Sequence, residues 1–109
     1  MMKTQKSTKE IVDGINRLSE FFASIGNSEW QKAYSLWASK INLSFNPEAT
    51  LIEFSRSVCM ASGMMSIGDV YISAGNGHNV KPGEEANLNS KLVTLVSELR
   101  FLVGSYLNT

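Results

Sequence analysis

Cys59 or one of the many serines of this 109-residue chain could be a nucleophile, with His78 as the base and Asp69 as the orienting acid. A thiolate needs a neighbouring base to form, and the base needs a carboxylate to hold its tautomer. Cys59, however, lies between Val58 and Met60 in a stretch expected to be helical, where a small buried apolar side chain is its ordinary role. Metal chemistry meets a similar limit. One Cys and one His nineteen residues apart have no zinc-ligand spacing, and adding Asp69 to His78 gives two ligands rather than a site. Glu84 and Glu85 are paired carboxylates of the kind used in general acid–base work. They follow Pro82-Gly83 at the expected start of a helix, where they complement its dipole. Gly75-Asn76-Gly77 lacks the third glycine and the preceding buried strand of a dinucleotide loop, and no phosphate-loop motif occurs. Catalytic residues, metal and cofactor are therefore all read as none.

The elements that must position these groups follow from periodicity. Ile11, Ile15, Leu18, Phe22 and Ile25 step by three and four, so they share one face of a first helix. Ser7-Thr8-Lys9-Glu10 has capping-box spacing at its start, residues 1–6 are expected to fray, and Gly26 suits its end. Ser28-Glu29-Trp30-Gln31 repeats the box, and Trp30, Tyr34, Trp37 and Ile41 form a second stripe, predicting a helical hairpin anchored by both tryptophans. Asn46-Pro47-Glu48 starts a third helix, expected to run through Leu51, Phe54 and Val58 to about Ala61. Leu88, Leu92, Leu95, Leu99, Leu102 and Tyr106 define a closing helix, with Val93, Val96 and Val103 alongside. So wide an apolar face belongs in the middle of a bundle or in part at an oligomer interface.

Between helices three and four, residues 63–89 hold five of the eight glycines, and Val70-Tyr71-Ile72 reads as a short extended piece. An irregular segment this long in a small domain is often functional, so a binding site is expected there or on its flanks. Met60, Met64 and Met65 around Gly63 read as core before they read as an adaptable surface. The expected architecture is all-α: a single four-helix bundle-like domain over residues 1–109, with a Gly-rich irregular segment between helices 3 and 4.

Composition narrows the partners. Hydrophobic residues reach 43%, enough for one core, while charged residues are 18%, leaving more neutral surface than usual for a protein partner or a second copy to cover. Ten basic and ten acidic side chains cancel, so no net field attracts nucleic acid or an anionic membrane. Residues 1–41 carry +2, whereas residues 42–90 carry −3, so the middle of the chain is acidic. A single cysteine excludes an internal disulfide. The polar N-terminus, with no long apolar run, leads us to expect a cytoplasmic protein.

At Gly63-Met64-Met65-Ser66-Ile67-Gly68-Asp69-Val70 the sequence resembles an uncharacterised family of small bacterial helical domains, whose members often read Gly-Met-Gly-Ser-Phe-Asn-Asp-Leu. Gly63, Met64, Ser66 and Asp69 match, whereas Met65, Ile67 and Gly68 depart. In that family a Trp-bearing helix precedes the motif, a Gly-rich loop follows, and a Leu-rich helix closes the chain. In overall type the chain is similar to the all-helical immunity proteins of bacterial toxin systems, including contact-dependent growth inhibition. That similarity implies an inhibitor which binds a cognate toxin domain, often a basic nuclease, without catalysis of its own. An acidic binding face would serve such an inhibitor, so Asp69, Tyr71, Asn76, His78, Glu84 and Glu85 are the expected partner-binding residues. Two alternatives remain open: a dimerising structural or adaptor domain, and a small hydrolase or nuclease built on Asp69 and His78.

Overall fold

The computed structural model describes residues 5–108, with side chains described from residue 8. Four helices form an all-α, bundle-like fold: α1 (Gln5–Ser24), α2 (Ser28–Asn42), α3 (Pro47–Ser55) and α4 (Glu85–Leu107). Between α3 and α4 the chain is irregular apart from two single 3-10 turns, Ile67–Asp69 and Ala74–Asn76. Val70, expected to open an extended piece, does have extended dihedrals, but no strand forms among the described residues.

The α1 stripe is buried as its spacing requires: Ile11, Ile15, Leu18, Phe22 and Ile25 are all inaccessible. Val12 and Phe21 widen that face, and α1 packs on α2 along one side and on α4 along the other. The centre of the bundle is thus α1, not the Leu-rich α4. Leu92, Val96, Leu99, Val103 and Tyr106 of α4 are buried, but Val93 and Phe101 face outward.

Helix ends differ from the capping expectations in physically clear ways. Ser7, expected at the start of the first helix, lies within α1 (Gln5–Ser24), and its side chain lies outside the described ones. Of the six residues expected to fray, 5 and 6 belong to α1 and 1–4 lie outside the described residues. The cap of α2 is Asn27 rather than Ser28: its Oδ1 accepts from Trp30 N at 3.1 Å, and Ser28 is the first helical residue. Gly26 makes the preceding turn at φ +76°, a left-handed conformation that favours glycine, and the Asn79 side-chain amide packs over it. Asn46 and Pro47 start α3 as expected, with Ala49 N donating to Asn46 Oδ1.

The third helix ends six residues early. Ser55 Oγ donates to Ile52 O and Ser57 Oγ to Phe54 O, each at 2.7 Å, so serine hydroxyls take carbonyls that a continuing helix would use. Val58 consequently leaves the Leu51–Phe54 stripe and is 54% exposed. The tryptophans also differ from expectation. Tyr34, fully buried, anchors the hairpin by stacking on Phe22 with centroids 6.0 Å apart. Trp30 and Trp37 are half-buried at the edge of the core, against Phe22 and Phe54 respectively.

Candidate functional site

The irregular segment contains almost none of the regular ladder that satisfies backbone polar groups in a helix, so other residues must satisfy them. Three side chains do so from outside, and a fourth braces the segment through a side chain. Tyr34 Oη donates to Cys59 O at 2.7 Å. From α4, Arg100 donates through Nε to Met60 O (3.0 Å) and through Nη2 to Ala61 O (2.9 Å). Asn89 pairs with both sides of the buried Ile72 peptide: Oδ1 accepts from Ile72 N (2.8 Å), and Nδ2 donates to Ile72 O (2.9 Å). Asn27, at the α1–α2 turn, places its amide nitrogen 3.0 Å from His78 Nε2.

Within this framework residues 58–70 fold into a tight loop. Ile67 N donates to Val58 O (2.8 Å) and Gly68 N to Ala61 O (3.1 Å). A Cβ at Gly68 would lie 2.7 Å from Ser62 Cα, so the close approach of the two strands of the loop needs glycine. Met65 holds φ +61°, a left-handed conformation that costs a non-glycine residue on the order of 1 kcal/mol. It is kept there by its own N–H, which donates to Asp69 Oδ2 at 3.3 Å, and by the Ser66 hydroxyl, which donates to Gly63 O.

That turn projects Met64 and Met65 into solvent, 88% and 85% exposed. Only Met60 of the three methionines joins the core, so the expectation that all three pack inside fails. Together with the α2 surface the loop forms an open cleft of about 370 Å³, with Trp30, Ala33, Val58, Met65 and Val70 as its apolar lining and Glu29 and Asp69 as its acids. A second cleft of about 390 Å³ lies across the Ile67–Val70 ridge, between that ridge and α4, bounded by Tyr71, Leu92, Val93, Val96 and Arg100.

The expected partner-binding residues fall in separate places. Asp69 is exposed in the first cleft. Tyr71 is exposed beside Glu85, whose carboxylate hydrogen-bonds the phenol and, with its charge, holds it above the usual tyrosine range. Asn76 is exposed and ties back to Tyr71 O through Nδ2 at 2.9 Å. Glu84 immediately precedes α4 without a side-chain capping bond and borders a different groove with Ile25, Asn79 and Leu88. His78 is the correction: read as a surface-loop residue facing a partner, it is 8% exposed, with Ser73 N donating to Nδ1 at 3.3 Å. Its ring is a clamp between the α1–α2 turn and the segment.

The chemical trio is not assembled. Asp69 accepts from Met65 N, and both nitrogens of His78 face other groups of the protein. Cys59 is buried under the loop, and burial pushes its thiol up to about 11, away from the thiolate. Among the described residues no three His, Cys, Asp or Glu side chains are grouped to hold a metal ion, and no helix is long and apolar enough to cross a membrane.

Reading the sequence alone missed Glu29 and Trp30 as site residues, because a Trp in a helical stripe reads as core. Val58 was missed because α3 was drawn too long. The exposed Met64–Met65 pair does lie inside the motif on which the family resemblance rests. Fold and site together define an all-α domain with a braced surface loop and an apolar, acid-edged cleft. No family model matches the sequence, and comparisons with curated proteins and with solved structures give no match.

Proposed function

We propose that the protein is an immunity-type inhibitor that binds and neutralises a cognate bacterial toxin domain, a nuclease, and has no catalysis of its own. One observation carries the reading: the cleft at Trp30 and Met65 is apolar, open and edged by Glu29 and Asp69. Val58 and Met65 expose large apolar side chains along this cleft, with Met64 exposed next in sequence, and a surface of this kind is covered when a partner docks. Methionine suits it because its unbranched, polarisable chain adapts to the contour it meets. The acids add selection. A nuclease binding a polyanion is basic around its active site, and opposite charge speeds encounter by factors of ~10–10³. The similarity in overall type to small all-helical immunity proteins and the acidic middle of the chain support the same reading.

The test is direct binding to the product of the gene immediately upstream. Tight association that inhibits that product, with an on-rate falling steeply as salt rises, is the expected result. Glu29→Lys should slow association by ~10-fold while leaving the fold intact, because Glu29, unlike Asp69, takes no part in the hydrogen bonds that shape the loop. Absence of both binding and inhibition would remove the proposal.

A further inference from the structure

The cleft between α4 and the Ile67–Val70 ridge holds about 390 Å³, within the range of small-molecule sites, about 300–1,000 Å³. It is more enclosed than the Trp30 cleft across the ridge. Its walls are aliphatic, with Val70 from the ridge and Leu92, Val93 and Val96 from α4. Four polar side chains complete the lining: Tyr71, Asn89, Ser97 and Arg100. Two of them are already committed. The Asn89 amide is taken up by Ile72 and by Glu85 O, and the Tyr71 phenol by the Glu85 carboxylate.

The other two keep donors in reserve. The exposed Ser97 hydroxyl has no hydrogen-bond partner among the described residues. Arg100 is half-buried and is the only charged residue of the lining. Its Nε and Nη2 donate to Met60 O and Ala61 O, which pins the planar guanidinium instead of leaving it to swing into water. Among the described residues Nη1 has no partner, and no carboxylate pairs with this guanidinium. A fixed charge beside an apolar cleft, without a counter-ion, favours an anion there. Ser97 and Arg100 are three residues apart, so both donors lie on one face of the helix.

Placement along the cleft sets the rest of the ligand. From Ser97 back to Asn89 the wall runs about 12 Å along α4, with no charged lining residue between them. At the far end Glu85, hydrogen-bonded to Tyr71, repels an anion. The negative group is thereby directed to Arg100 and the apolar part towards Tyr71. A narrow run of valine and leucine suits a linear hydrocarbon. The geometry points to a binding site for a linear aliphatic monocarboxylate, its carboxylate held by Arg100 and Ser97 and its chain lying along Val96, Val93 and Val70. This site does not rest on the function proposed above, whose Trp30 cleft lies on the other side of the ridge.

Titration of the full chain with decanoate, followed by NMR shifts, tests the site. One saturable event is expected, with a Kd on the order of 0.1–1 mM and shifts at Val93, Val96, Ser97 and the Arg100 Nε–H. Decanol, which has the same chain and no charge, should bind ~10-fold or more weakly, and decylamine should not saturate. Replacing Arg100 would also release Met60 O and Ala61 O, so the charge is better tested from Ser97. Ser97→Glu sets a built-in carboxylate three residues before Arg100, a spacing that supports the helix. It should abolish decanoate binding with an unchanged circular dichroism spectrum. Ser97→Gln, of the same shape without the charge, should bind decanoate nearly as tightly as the wild type. Equal binding of decanoate and decylamine, undiminished binding by Ser97→Glu, or equal loss in Ser97→Gln and Ser97→Glu would each overturn the assignment. So would a wild type that decanoate fails to saturate by about 10 mM.

Discussion

The α1–α2 hairpin and the 56–84 segment are held by opposite means. In the hairpin, the helical ladder satisfies most peptide polar groups, with Asn27 capping the start of α2, so the facing side chains are free to be apolar. Leu18, Phe22 and Tyr34 pack against one another with essentially no access to solvent. In the segment, the peptides lack that internal solution, and single polar side chains from the frame supply it: Tyr34 to Cys59, Asn89 to Ile72, Arg100 to Met60 and Ala61. The first arrangement spreads stability over many small contacts. The second concentrates it in a few directional ones. A cleft-bearing loop therefore gains a defined shape without a core of its own, and it can be loosened at a point without unfolding the helices.

That contrast can be broken from either side. The largest effect should come from Phe22→Ala, which removes a fully buried ring from the hairpin and its stack with Tyr34. A loss of about 3–5 kcal/mol in urea denaturation is expected, shared by every helix because the whole frame depends on it. A loss confined to α1 amides would show that the hairpin is not one unit. Asn89→Ala should cost about 1–3 kcal/mol by stranding the N–H and C=O of buried Ile72. Its signature is local: amide exchange at Ile72 should accelerate by ~10-fold or more while α1 amides keep their protection. Equal acceleration throughout would mean that segment and frame open together.

The smallest effect is a pH dependence. The Cys59 thiol, ordinarily near 9.0, is pushed up to about 11 by burial, only partly countered by the Ser57 hydrogen bond. The folded state therefore holds that proton more tightly than the unfolded chain. Its contribution is fully present below pH 9 and is lost as pH rises towards 11. By pH 9.5 the urea midpoint should have fallen by the equivalent of about 0.5–1 kcal/mol. Tyr34 is shifted in the same direction, mainly by burial, from an ordinary value of 10.0. In Cys59→Ala the decline should accordingly begin nearer pH 10. An unchanged onset would show that the thiol does not titrate with unfolding.

What the residues disclosed in advance follows the same division. Spacings of three and four located the buried face of α1 and most of that of α4, because helical periodicity is a local property. Gly26, Asn46 and Pro47 were legible for the same reason, as each acts on its own turn. The early end of α3 was not, since it depends on Ser55 and Ser57 choosing carbonyls over water. Asn89 and Arg100 carry no local sign of their roles, and only the fold brings them to peptides seventeen and forty residues away. His78 was misjudged for that reason too: its clamp partner, Asn27, is fifty-one residues distant. Of the site, Asp69 and the motif around it were visible, whereas the opposite wall, Glu29 and Trp30, appeared only when α2 and the loop met.

Cys59 lies beneath the braced loop, its carbonyl fastened by Tyr34, and it is the only thiol in the chain. A thiol reagent can reach it only during an opening event, so the labelling rate is the intrinsic reaction rate scaled by the population of the open form. The chain thus carries a native clock for its own loop. If that clock runs faster than global unfolding, the segment opens alone; if a bound partner slows it, the partner sits on the loop.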